Sequence, residues 1–275
     1  MPPAQSADVP GHPLQRVALG VSYNGRHYDG WQSQPGGRTV QDHLERALTQ
    51  FTADEPVRTL CAGRTDAGVH GLMQVVHFDT ALSRSDYAWM RGTNRFLPAD
   101  IAVQWARHVP ASFHARASAL ARRYAYVLLE SPVRPSVDEG QVGWVFRPLS
   151  MAPMQEAAQM LIGLHDFTSF RAAQCQAHSP VKEMLRVDIA RRGAYWRFEF
   201  EATAFLHHMI RNIMGCLMAI GTGNRPATWM GEVLKARSRD AAAPTFSPDG
   251  LYFLGPVYDP ALNLPDRTPA FDWLP

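Results

Sequence analysis

Apolar residues recur at every second position in several stretches of this chain, and stretches with helical spacing separate them. Val17, Leu19, Val21 and Tyr23 share one side of residues 14–23. Ile101, Val103, Trp105, Arg107 and Val109 repeat the alternation at 101–109. Period two marks a half-buried strand. Between these strands, Val40, Leu44, Ala47, Leu48 and Phe51 recur at helical spacing, opened by Thr39-Val40-Gln41-Asp42, which has the form of a capping box. Ser83-Arg84-Ser85-Asp86 offers a second helix start, with Tyr87, Met90 and Phe96 as apolar positions and Pro98 near its end. With a short extended run at 57–62 and a longer one at 69–78, the chain to residue 110 reads β-α-β-β-α-β.

The remainder repeats this mixed character. Residues 120–129 place Arg122, Tyr124, Tyr126 and Leu128 on one face, and Arg123, Ala125, Val127 and Leu129 on the other. Residues 133–143 are rich in Pro and Gly and read as a loop. Met154, Ala157, Ala158, Leu161 and Ile162 suit a helix. Residues 182–190 and 195–202 flank Arg192-Gly193 as a hairpin. Leu206, Met209, Ile210, Ile213, Met214 and Leu217 line one side of a helix, 228–236 forms another, and 251–257 is a last strand. The expected organisation is α+β: a loose tail at 1–13, one half at 14–110, a second at 111–260, and a surface tail at 261–275.

At 275 residues and 46% hydrophobic, the chain can bury a sizeable core. A formal net charge of +2 neither demands nor excludes nucleic acid. The charge is uneven, however. Residues 101–129 contain no acid but carry Arg107, His108, His114, Arg116, Arg122 and Arg123, and local clustering is what phosphate binding needs. The three cysteines form no close pair, which suits a reducing compartment. No apolar run approaches a membrane span. Cytoplasmic placement is the expectation.

The most chemical stretch is Cys61-Ala62-Gly63-Arg64-Thr65-Asp66-Ala67-Gly68-Val69-His70-Gly71. It joins two extended runs through a loop that brackets a guanidinium, a hydroxyl and a carboxylate between glycines. Asp66 is a potential nucleophile or base, and Arg64 a planar donor fork suited to phosphate. This string closely resembles the signature of the tRNA pseudouridine synthase A family. The resemblance runs from about Val17 to Val257. It includes Tyr28, Gly30, Trp31 and Gln32 in the loop after the first strand, Arg122-Arg123-Tyr124-Ala125-Tyr126, and Phe205-Leu206-His207-His208-Met209-Ile210-Arg211-Asn212.

The resemblance implies a pseudouridine synthase fold: two ferredoxin-like, RRM-like halves sharing a continuous antiparallel sheet, helices on one face and a central cleft. It implies isomerisation of uridine to pseudouridine at positions 38, 39 and 40 of the tRNA anticodon arm, by a homodimer. Asp66 would be the nucleophile, Arg211 its partner, and Tyr124 the stacking surface and a possible proton acceptor. Arg64, Arg84, the segment Phe113, His114, Ala115, Arg116, Ala117 and the loop Gln174, Cys175, Gln176, Ala177, His178 would contact RNA. Ala177 and His178 replace a more polar, basic sequence in the family.

Isomerisation exchanges no electrons and loses no group, so no cofactor is expected. No metal is expected either: there is no Cys-x-x-Cys pair, and adjacent His207 and His208 should diverge on a helix. Two other readings compete. One is a non-catalytic RNA-binding module using the same groove. The other is an Asp-dependent nucleosidase, which would need a second acid, with Asp29 and Asp166 as candidates.

Overall fold

The computed structural model describes residues 14–53 and 55–265. The expected tail at 1–13 and residues 266–275 lie outside them. The strands are β1 (Gln15–Tyr23), β2 (Leu60–Cys61), β3 (His70–Thr80), β4 (Ile101–Val109), β5 (Ala121–Glu130), β6 (Gly143–Val145), β7 (Gly163–Asp166), β8 (Val181–Arg192), β9 (Tyr195–Ala202) and β10 (Leu251–Val257). The helices are α1 (Val40–Phe51), α2 (Asp86–Asn94), α3 (Met151–Gln159), α4 (Met209–Gly221) and α5 (Trp229–Ala236).

Local chemistry explains the helix starts. Thr39 accepts a hydrogen bond from the Asp42 backbone N–H while Asp42 accepts from that of Thr39, a complete capping box for α1. The Ser85 hydroxyl caps α2 by accepting from Ala88 N–H at 3.2 Å.

All ten strands join one sheet, in the order β4-β1-β3-β10-β5-β9-β8-β7, with β2 on β3 and β6 on β5. The first half follows β4-β1-β3-β2 and the second β10-β5-β9-β8. Each is the same arrangement of a β-α-β-β-α-β unit. β2 is too short to cover the edge of β3: it pairs only with Val76 and His77, and β10 takes the vacant end at His70 and Gly71. The halves therefore meet edge to edge, and the sheet is continuous. Most pairings are antiparallel, but the seam β3–β10 is parallel, as is β5–β6. The sheet is therefore mixed where the family resemblance implied an antiparallel one.

Helices cover one face. Val17, Leu19, Val21, Val76 and Phe78 pack with α1 and α2 residues, and Tyr126, Leu128, Phe198, Phe200 and Phe253 with those of α3, α4 and α5. Alternate positions build two smaller clusters on the opposite face, where no α-helix among the described residues packs. There Leu262 and Leu264, both half-buried, pack against the cluster of Trp105 and Phe113, so the first residues of the expected surface tail lie along this face of the sheet.

The alternation expected at 101–109 breaks at one point. Gly20 pairs with Trp105 and Val21 with Val103, so Gln104 is an extra residue in β4. This bulge turns Ile101 and Val103 toward the helices but Trp105 toward the opposite face. No helix among the described residues is long and apolar enough to cross a membrane.

Candidate active site

Asp66 sits in the loop between β2 and β3, where the two halves meet. The loop is anchored from below by the segment after β1. Trp31 N–H donates to the Thr65 carbonyl at 3.0 Å, and the Tyr23 and Thr65 hydroxyls share a buried hydrogen bond of 2.9 Å. The Gln74 amide engages both the N–H and the carbonyl of Gly63. Two glycines allow this packing. Gly30 has φ +88°, and a Cβ there would lie 2.7 Å from the Thr65 carbonyl oxygen. A Cβ on Gly71 would lie 2.4 Å from the Tyr23 ring.

The second half supplies the partners. Arg211, on α4, donates from Nη1 to Asp66 Oδ2 at 3.0 Å and from Nε to the Phe246 carbonyl at 2.9 Å. Using two edges of the guanidinium fixes its plane. Asn212, fully buried, ties the start of α4 to the Phe170 carbonyl and to Thr245.

His207 and His208 do not diverge as a helical pair would. His208 precedes α4 with φ +61°, a left-handed conformation uncommon for a non-glycine residue. That turn brings the two rings to 4.0 Å between centroids and points both toward the carboxylate. His207 Nε2 lies 3.3 Å from Oδ1, and His208 Nε2 lies 3.5 Å from Oδ2. Sequence periodicity could not show this, because it presumes helical dihedrals at both positions.

Burial opposes ionisation of Asp66. The hydrogen bond to His207, the nearby His208 and the Arg211 guanidinium outweigh it and hold the carboxyl below its ordinary range. Its hydrogen bond to Asp66 raises the His207 pKa, whereas burial lowers that of His208. The site thus holds one ionised carboxylate among three groups able to carry positive charge.

Aromatic rings form the neighbouring wall. Tyr124, 8% exposed, packs 4.9 Å from Phe253 and edge-on to Phe205 at 5.1 Å. A side chain at Gly63 would meet Phe253 at 3.7 Å and the Tyr124 hydroxyl at 4.0 Å, so the Asp loop passes directly over these rings. Burial first, then the charge of Asp66 and other anionic forms, push the Tyr124 hydroxyl far above its usual range. A cavity of about 280 Å³ beside Tyr23, His70 and Tyr252 is not lined by Asp66 or Arg211.

The other sequence candidates divide by exposure. Arg64 is exposed and lies 3.5 Å from the Gln176 side chain, which brings the 174–178 loop to the rim of the site. Gln174, Gln176 and His178 are exposed, and Cys175 and Ala177 half-buried. Arg84 is exposed, with its guanidinium 5.9 Å from the Phe51 ring centre. Arg116 and Ala117 are exposed and His114 half-buried. Phe113 and Ala115, expected as RNA contacts, are instead in the core at 1% and 0% exposure. Their side chains anchor the turn that displays the other three.

His77 holds that turn from beneath. Its Nδ1 accepts from Ala115 N–H at 3.1 Å, and its ring bonds the Leu60 carbonyl. Only a neutral tautomer satisfies both. Burial, with His114 and Arg16 nearby, lowers the His77 pKa to about 4 from 6.5. The unfolded chain then binds the extra proton first as pH falls, so stability should fall between about pH 6.5 and 4, then level off. This contribution should be on the order of 3 kcal/mol. Urea unfolding across that range should show a shallower dependence in His77→Gln; an unchanged slope would contradict the assignment.

Arg122 was grouped in the sequence with RNA-facing cations, but it turns inward. Its guanidinium donates to the carbonyls of Ala62, Arg116, Ala119 and Thr203. It thereby ties the Asp loop, the connector and the end of β9 together. Arg122→Met should cost about 3 kcal/mol in urea unfolding, because several acceptors lose a charged donor at once. A loss under about 1 kcal/mol would show that water replaces it.

Comparison with known proteins came to the same region of the chain. Residues 20–116 and 157–259 match the family described as tRNA pseudouridine synthase. Curated relatives of the chain carry the name tRNA pseudouridine synthase A. The protein of Paracidovorax citrulli is 68% identical over 278 residues, covering 94% of this chain and all of the relative. Those of Polaromonas naphthalenivorans and Methylibium petroleiphilum are 69% and 68% identical, with the same coverage.

Proposed function

Because the chain belongs to the tRNA pseudouridine synthase family, we propose that it isomerises uridine to pseudouridine at positions 38, 39 and 40 of the tRNA anticodon arm, with Asp66 as the reacting carboxylate. The observation that carries the role of Asp66 is its setting: one ionised carboxylate at the seam, held by Arg211 and set beside an aromatic wall.

The reaction breaks the bond from C1′ to N1, turns the base, forms a bond from C1′ to C5, releases the C5 proton to solvent and leaves N1 protonated in its place. A carboxylate can add covalently to sugar or base, or stabilise positive charge on the sugar. Each route needs the ionised form, which Arg211 and the two histidines favour. Tyr124, backed by the fully buried Phe253 and flanked by the half-buried Phe205, supplies the surface against which a flipped base can be held. Arg64, Arg84, Arg116, Gln174, Gln176 and His178 have exposed side chains of types suited to phosphate and sugar contacts. This reading includes a homodimer, which rests on the family resemblance and which sedimentation equilibrium checks, and placement in the cytoplasm, which rests on the three unpaired cysteines.

The hydrolase alternative loses support from the fate of its second acids. Asp29 is engaged by Arg38, and Asp166 by Thr168 and Arg237. The decisive test uses tRNA transcripts tritiated at uridine C5, followed by mapping of pseudouridine. Release of tritium with modification confined to 38–40 supports the proposal. Free uracil would favour a nucleosidase, and tRNA binding without release would favour a binding module.

A further inference from the structure

We propose that Asp66, His207 and His208 form an inhibitory site for a transition-metal cation of the zinc class. The inhibition, though not the binding, rests on Asp66 being the reacting group.

The three side chains converge from two halves of the fold. Their ligand atoms all lie within 4.8 Å of one another. The contacts of 3.3 Å from His207 Nε2 to Oδ1 and 3.5 Å from His208 Nε2 to Oδ2 are close to the edge of a zinc coordination tetrahedron. Bonds of about 2.0–2.1 Å at tetrahedral angles place neighbouring ligands roughly 3.3–3.4 Å apart. The two contacts use different carboxylate oxygens and all the ligand atoms lie within 4.8 Å, so side-chain rotation can close the set around an ion. The left-handed backbone at His208 creates the convergence; a helical pair would not.

The site is open. The side chains of His207, His208 and Asp66 are 37%, 29% and 19% exposed, so an ion can enter and keep water in its fourth position. Two imidazoles and one carboxylate suit zinc, nickel or copper, whereas magnesium prefers an all-oxygen shell. The magnesium that accompanies tRNA should not compete.

Arg211 is the opposing feature. Its Nη1 already binds Oδ2 at 3.0 Å, and its Nε bond to the Phe246 carbonyl keeps the positive charge close. Affinity should accordingly be moderate, with Kd roughly micromolar rather than that of a closed structural site. Coordination would occupy the carboxylate lone pair that otherwise meets the substrate, with no bond made or broken in the protein. Removal of the metal should restore the enzyme.

Untagged full-length protein can be titrated with zinc sulfate by calorimetry and, separately, with Co²⁺ by visible absorption. One ion per chain, an intense tetrahedral Co²⁺ band displaced by zinc, and at least a tenfold weaker affinity in His207→Gln/His208→Gln and in Asp66→Asn are expected. Excess magnesium should leave the titration unchanged. Equal zinc affinity in folded variants overturns the site, and so does a weak octahedral Co²⁺ spectrum in the wild type, whatever the variants do. In the activity arm, zinc should suppress tritium release from wild-type enzyme and EDTA should restore it. Undiminished release with the site filled would overturn inhibition and count against Asp66 as the reacting group, while leaving metal binding established.

Discussion

Asp66→Asn should abolish tritium release from uridine C5, by about 10⁴-fold or more, while the protein stays folded and still binds tRNA. Asparagine keeps the shape of the side chain and an oxygen that can accept from Arg211. It removes the negative charge, and with it the capacity to add to the substrate or to balance charge on the sugar. The loop itself should persist, because its anchors are the Trp31 N–H, the Tyr23 hydroxyl and the Gln74 amide rather than the carboxylate. Near-wild-type thermal unfolding and tRNA affinity would establish that persistence. Residual turnover above about one part in a hundred would refute a direct role for the carboxylate.

Arg211→Met should lower kcat by roughly 10²–10³-fold with a much smaller change in KM. Arg211 donates to the carboxylate and to the Phe246 carbonyl with different nitrogens, so it both charges and aims the site. Methionine retains packing along α4 but supplies neither bond. The tRNA contacts expected at Arg64, Arg84 and Arg116 are separate groups, so affinity should largely remain. Arg211→Lys should recover part of the rate, because one ammonium can reach the carboxylate but lacks the planar fork that also serves Phe246. Single-turnover assays with saturating enzyme separate these effects. A change confined to KM would make Arg211 a tRNA-binding residue instead.

Much of the local structure was legible from residue spacing. The capping box at Thr39, the apolar spacing of α1 and α4, and the β8–β9 hairpin rest on interactions between near neighbours. Such signals survive in a linear string. The strands β6 and β7, of three and four residues, were not recognised because they are too short to show a period and gain their order from pairing with β5 and β8. Trp105 was placed on the wrong face because one extra residue, Gln104, shifts the register against β1. A one-residue slip reverses every later side chain, and only the partner strand reveals it.

The amino-acid sequence by itself determined the helices, the longer strands, the glycine-bracketed Asp loop and, through its motifs, the family. Tertiary structure alone decided what surrounds that carboxylate. Asp66 and Arg211 are 145 residues apart and meet because β2 leaves part of the β3 edge open for β10. The inward turn of Arg122, the burial of Phe113 and Ala115, and the convergence of His207 with His208 arise in the same way. Each depends on backbone torsions and strand pairings set by the assembled sheet, and residue type constrains these only weakly.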